Sequence, residues 1–374
     1  MYHYLKYWLA VVLLGTGYLG FFLGGGWVWL GVATLPILAL LDTLVGPDYS
    51  MTPKLRPAIA NIPIWICAVG PVCLYFAFAW RMSVEDLSGW QLLGGVLSCG
   101  WMGVIPLIPA SHEMYHKRDV VTRTVGRYAH LCILDATREI GHVVGHHIDV
   151  ASVEDCDTAR RGETLWGFTP RCVIKTTKLD LRIEAEALRK RGLSPWSLHN
   201  RMYRAIAAQI VMQSLLFAIA GWQGVVFGLA GMLVSRFWVE SFNYFQHYGF
   251  TRVPGAPIGR RHAWNHLGWV ARNVAFEVTN HCDHHMNSYL SYWELRPYKD
   301  GIAMPSVFLC FLAALVPPIW HELIIKPRLK RWDLEFATKE ERALAAEQNK
   351  AAGWPDWFSE TPSTQIGTAA TVGA

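Results

Sequence analysis

Charge is the first shortage. Of 374 residues only 17% are Asp, Glu, Lys or Arg, against about 25% in an ordinary soluble protein. Hydrophobic residues make up 52% and aromatics 13%, with 18 Trp. That balance excludes a disordered chain and an ordinary soluble enzyme, and it points to a polytopic membrane protein. Paired cysteines are missing as well. The eight cysteines (67, 73, 99, 132, 156, 172, 282 and 310) include no C-x-x-C spacing, and several sit in apolar runs. A disulfide framework, a zinc ribbon, a rubredoxin-type centre and an iron–sulfur cluster in this chain are thereby excluded. Buried reduced thiols are the expectation. No glycine fingerprint for a dinucleotide follows a strand, so the chain is not expected to draw electrons from NADH unaided. Met1–Lys6 is barely basic and no small-residue cleavage site follows, so the first apolar run reads as a retained helix.

What is present is apolar runs long enough for a bilayer, which needs about 20 residues per helix. Six fit: 8–23, 27–45, 58–80, 87–110, 205–220 and 225–245. The expected fold is all-α, a polytopic membrane protein with six transmembrane helices. Residues 1–358 form one integral-membrane domain in this reading, and 359–374, rich in Ser, Thr, Gly and Ala, a disordered tail. The first two runs are joined by Gly24-Gly25-Gly26 and the last two turn near Gly221, so each pair forms a tight hairpin. A further run at 302–320 contains Pro305, Pro317 and Pro318. Proline breaks helices, and a re-entrant or surface-lying helix is expected there. With six spans, the loop 46–57, the polar stretch 111–204 and both termini share one side. The opposite side has Arg81 as its only basic residue. Basic residues mark the cytoplasmic side, which places the protein in the inner, cytoplasmic membrane.

Fifteen histidines are the second anomaly, because they cluster. His112 and His116 stand in His-Glu-Met-Tyr-His. His142, His146 and His147 stand in His-Val-Val-Gly-His-His, and His281, His284 and His285 in His-Cys-Asp-His-His. His247 ends the sixth run, in Asn-Tyr-Phe-Gln-His-Tyr-Gly. All nine fall on the cytoplasmic side. Residues four apart on a helix share a face, so the pairs 112/116, 142/146 and 281/285 can each converge on one metal. His147 and His284 can then reach a second. Nine imidazoles are too many for one ion. Structural zinc takes four ligands, usually with Cys, whereas imidazole with open positions suits iron in oxygen chemistry. The reading is two iron ions held by neutral nitrogen. A zinc protease using H-E-x-x-H with Glu113 as base leaves the other seven histidines without work.

On these strings the chain resembles the membrane-bound alkane hydroxylase and xylene monooxygenase family of non-haem di-iron hydroxylases. The matching segments are His112–Lys117, His142–His147 continuing through Asp149, Glu154-Asp155, Asp157 and Arg161-Gly162-Glu163, then Asn243–Gly249, and His281–His285 followed by Tyr292, Leu295 and Arg296. Gln246 before His247, Ser194-Pro195-Trp196 and Trp264-Asn265-His266 look more like the xylene/cymene branch. The resemblance implies that all nine histidines are metal ligands. It implies O2-dependent hydroxylation of a methyl group on an alkyl-aromatic hydrocarbon such as toluene, xylene or p-cymene. It also implies a separate NADH-dependent electron donor, a ferredoxin/flavin reductase or rubredoxin. Terminal alkane hydroxylation, lipid desaturation and a histidine-lined metal transporter are the alternatives. A transporter would carry ionisable groups in mid-membrane, and the first five runs are nearly free of them.

Carboxylates and amides beside the clusters are candidates to orient ligand imidazoles: Glu113, Asp149, Asp157, Glu240, Asn243, Glu277 and Asp283, with His262 and His266. For Glu240 an ordinary ion pair with Arg236, four residues earlier, weighs equally. The segment 171–204 has nine Lys and Arg against three Asp and Glu, which suits either an acidic electron donor or anionic lipid. Nucleic acid is not an expected partner.

Overall fold

The structure, a computed structural model, describes residues 1–359. The expected disordered tail beyond Ser359 lies outside them. Among the described residues there is no β-strand, only an isolated bridge between Pro47 and Gly268. Five helices are long and apolar enough to cross a membrane: Tyr2–Leu23, Gly25–Val45, Pro57–Val84, Gly89–Tyr115 and Arg201–Gln246. The first three have as regular cores α1 (Trp8–Leu23), α2 (Leu30–Val45) and α3 (Pro57–Val84), and the fourth comprises α4 (Gly89–Met102) and α5 (Leu107–Tyr115). After α6 (Leu165–Lys190) comes the fifth, α7 (Arg201–Gln246), followed by α8 (His281–Met286) and α9 (Val307–Ala314).

Local chemistry sets the ends. Gly24 and Gly25 both take positive φ, +72° and +53°, the conformation glycine adopts without a Cβ penalty. The last carbonyls of α1 have no partner within the helix. Arg81 of α3 donates to Phe21 O at 2.6 Å and to Phe22 O, while Glu85 accepts from Gly25 N at 3.1 Å. Pro57 opens α3, where a missing N–H costs nothing. Ser88 and Gln91 form a capping box at the start of α4. Small residues let the helices approach closely, as membrane bundles require. Gly100 lies against Val234, and Gly231 against Tyr75 and Cys99. Side chains such as Val12, Phe22, Leu40, Leu44, Leu215 and Trp222 point outward, an apolar exterior suited to lipid.

The fourth run is one path in sequence but two helices in space, interrupted between Met102 and Leu107. The 46-residue α7 is likewise two helices joined at Ala220 and Gly221, where φ/ψ are −133°/20° and 57°/−146°. The halves fold back on each other. Gln209 and Gln213 Nε2 approach Met232 Sδ at 3.2 and 3.4 Å, and Gly224 packs against Leu216 O. The turn expected at Gly221 is therefore observed. In 302–320 the apolar run forms the eight-residue α9, buried through Val307, Phe308, Cys310, Phe311, Ala313 and Ala314, and a second helical stretch opens at Pro317-Pro318 and continues as the π-helical Ile319–Ile325. At about 1.5 Å per residue α9 is too short to cross a bilayer. It ends before the Pro317-Pro318 pair.

Candidate metal centre

The nine histidines sit where helices end. His112 is on the last turn of α5 and His116 is its C-cap. His247 is the C-cap of α7. His281, His284 and His285 are on the six-residue α8. His142–His146 form a π-helical turn, and His147 N–H reaches back to His142 O. A π turn takes i→i+5 bonds and recurs at functional sites.

These elements bring the nine rings into two sets. His112, His116, His142, His147 and His284 can hold one metal ion; His146, His247, His281 and His285 can hold another. In the first set His142 Nε2 lies 3.0 Å from both His112 Nε2 and His147 Nε2, and His284 Nε2 lies 3.2 Å from His147 Nε2. In the second, His247, His281 and His285 Nε2 form a triangle of 2.8, 3.1 and 3.1 Å. A neutral imidazole nitrogen is either donor or acceptor, so three of them cannot satisfy one another pairwise. A cation at the centre can. Two nitrogens about 2.1 Å from one ion at right angles lie roughly 3 Å apart. His116, buried, has no hydrogen-bond partner on either ring nitrogen. The donor sets therefore fit metal ions. The sets adjoin: the rings of His147 and His285 are 4.6 Å apart, those of His142 and His146 5.1 Å. Neither set includes a carboxylate among the described residues.

His142 and His146 fall in different all-histidine groups, His142 with His147, while the two also come together with Asp157 in a further buried group. The π turn aligns residues five apart instead of four. The pairs 112/116 and 281/285, on ordinary helical turns, stay together. His147 and His284 fall in the five-membered group with His112 and His116.

Hydrogen bonds at Nδ1 orient the second set. His146 Nδ1 bonds Asp155 at 3.0 and 3.1 Å, His247 Nδ1 donates to His262 O at 3.3 Å and His281 Nδ1 to Val278 O at 3.2 Å. Such bonds fix the tautomer and leave Nε2 free for a metal. Burial first, then neighbouring imidazoles, pushes His142, His147, His247, His284 and His285 well below the usual imidazole value; His281 falls to about 3. These rings are neutral and competent to ligate. His146 is the exception. Burial lowers it, but the charge and hydrogen bond of Asp155 outweigh that and leave it raised.

Of the other candidates, Asp157 approaches His146 Nδ1 at 3.9 Å, and His262 contributes its carbonyl to His247 while its ring pairs with Glu341 at 2.8 Å. The rest do not hold ligand rings. Glu113 pairs with Lys117 at 2.5 Å. Glu240 takes the ion-pair alternative, with Arg236 at 2.8 Å and Arg138 at 2.5 Å, and Asn243 donates to it at 3.0 Å. Glu277 binds Lys6, Tyr7, Arg272 and Asn280. Asp283 accepts from Arg296 N, Asn287 and Tyr298. His266 donates to Pro305 O at 2.9 Å. Asp149 makes no hydrogen bond to a ligand ring among the described residues. The carboxylate that sequence reasoning missed is Asp155, nine residues after His146. Its signal was its place in the Glu154-Asp155 pair of the family string. Arg138, one turn before His142, was also missed.

The fatty acid desaturase family matches residues 88–305, which includes all nine histidines. The xylene/toluene monooxygenase hydroxylase component XylM of Pseudomonas putida is 38% identical over 94% of this chain and 96% of its own length. The chain belongs to this family of membrane monooxygenase hydroxylases. Alkane 1-monooxygenases are more distant members: that of Pseudomonas putida is 28% identical over 82% of this chain and 77% of its own, and alkane 1-monooxygenase 2 of Alcanivorax borkumensis 27% over 88% and 91%. Membership makes the chain a membrane-integral, oxygenating oxidoreductase, and a metal site of clustered histidines accords with it.

Proposed function

We propose that the chain is the hydroxylase component of an O2-dependent monooxygenase that converts a methyl group of an alkyl-aromatic hydrocarbon, of the toluene, xylene or p-cymene type, to the alcohol. The observation that carries this reading is the sorting of nine histidines into two all-nitrogen sets in a chain 38% identical to a xylene/toluene relative. Two irons are assigned, one to His112, His116, His142, His147 and His284, the other to His146, His247, His281 and His285. Bound iron supplies O2 reduction and C–H oxidation. The protein's part is orientation and exclusion of water. Asp155, His262 O and Val278 O hold the Nδ1 side of three rings. On the membrane side the site is walled by aromatics: Phe242 lies 6.3 Å from the His281 ring and from there contacts run to Phe311, Trp238 and Trp101. An apolar substrate concentrated in the bilayer meets the site through such walls, which also protect an oxidant from water.

Residues 1–358 act as one domain in this reading. The hairpin at Ala220-Gly221 makes six crossings, with the histidines at the cytoplasmic face of the inner membrane. Electrons come from a separate NADH-dependent reductase. Terminal alkane hydroxylation is the second reading, supported by the alkane relatives. The test is the full chain in lipid nanodiscs, with iron analysis and turnover of toluene, p-xylene, p-cymene and octane under 18O2. Two irons per chain and labelled benzylic alcohols are expected. An iron-free protein, or iron without 18O in any product, rejects the assignment. Labelled octanol alone selects the second reading.

A further inference from the structure

The π turn His142–His146 and the residues after it have an apolar outer surface. Val144 and Ile148, 51% and 60% exposed, alternate with or adjoin His142, His146 and His147, and Val153, 62% exposed, follows in the next turn. They lie outside the membrane-crossing helices. β-Branched side chains left open in one place mark a contact surface. Helix α6 borders it: Leu179 packs against Gly145 and Asp180 against Gly141, and Lys175 is within electrostatic reach of Cys156. Along the outer side of α6 run Lys175, Lys178 and Arg182, exposed and without a carboxylate partner among the described residues. The other basic rim near the site is different, because Arg260 and Arg261 are paired with Asp300 and Glu341.

We infer that Val144, Ile148 and Val153, flanked by the unpaired row on α6, are the docking surface for an acidic one-electron carrier protein. The inference rests on the monooxygenase reading. Each turnover there consumes one O2, two electrons and two protons with the hydrocarbon, and gives one alcohol and one water. A one-electron carrier must therefore bind and leave twice, and a small apolar contact with a charged rim suits such transient encounters. The electron enters beside ligands of both sets, since His142 and His147 belong to one and His146 to the other.

The test uses the iron-loaded full chain in nanodiscs and an acidic [2Fe–2S] ferredoxin as probe. Its Kd is measured with the oxidised protein and its KM with the reduced one. Ile148→Asp and the triple variant Lys175→Glu/Lys178→Glu/Arg182→Glu should each raise both by about tenfold or more. The triple variant should also flatten their salt dependence, while iron content and dithionite-driven single turnover stay at the wild-type level. Val153→Asp replaces Ile148→Asp if the latter loses iron. Unchanged Kd in these variants overturns the inference, as does a triple variant that loses only binding to phosphatidylglycerol vesicles. Wild-type protein that binds the ferredoxin but forms no alcohol with dithionite sinks the monooxygenase reading and leaves the docking surface standing.

Discussion

The two histidine sets differ in how they are held. In the four-membered set three rings are fixed at Nδ1, by Asp155, His262 O and Val278 O. In the five-membered set His116 is unpartnered at both ring nitrogens. The four-membered set is held by hydrogen bonding, whereas the five-membered set gains a ligand in number and gives up anchoring. Under the two-iron proposal the two positions face different mechanical environments, the arrangement expected if one position holds its geometry while the other adjusts.

The contrast can be broken by substitution. His281→Ala is expected to have the largest effect: the four-membered set falls to three, one iron is lost on metal analysis, and hydroxylation drops below detection. Asp155→Asn comes next, with about a 10–100-fold fall in metal affinity or activity, read by iron retention under chelator. His116→Ala should cost less, since four histidines remain. Iron content after purification should stay near wild type while chelator removes it faster. If His116→Ala proves more damaging than Asp155→Asn, the comparison is wrong.

Two smaller effects sharpen it. Burial raises the Glu341 carboxyl, but His262 and Arg261 outweigh this and hold it down at about 2. Because the folded value lies below the unfolded one, the stabilisation is present above the ordinary carboxylate value and is lost as pH falls toward 2. Glu341→Gln should cost roughly 1–3 kcal/mol near neutrality in thermal unfolding of the detergent-solubilised protein, and the difference from wild type should shrink with acid. Gly145→Ala should be mildest. Its Cβ would meet Leu179 Cδ2 at 2.8 Å, the movable end of a side chain, so roughly 1 kcal/mol of strain is expected.

Much of this was legible in residue order. Apolar length marked every crossing helix, because a bilayer sets a fixed thickness, and Gly221 marked the reversal within α7. The nine histidines were legible by clustering. The π turn was not, since it leaves no residue pattern of its own; in the fold Asp180 and Leu179 of α6 lie against its Gly141 and Gly145. Nor was the choice among carboxylates. Asp149 is nearer in sequence to His146 than Asp155 is, yet the loop after Asp149 turns Asp155 onto the ring. Glu240 could be read two ways until Arg138, a hundred residues away, was placed beside it.

Sequence by itself determined the class of structure and which histidines cluster as candidate nitrogen donors, because both follow from local quantities, hydrophobic length and residue type. Tertiary structure alone decided which rings lie together, which carboxylate holds a proton in place, and which surface stays open over the site. Those depend on directions in space, and helix register and long-range packing set directions.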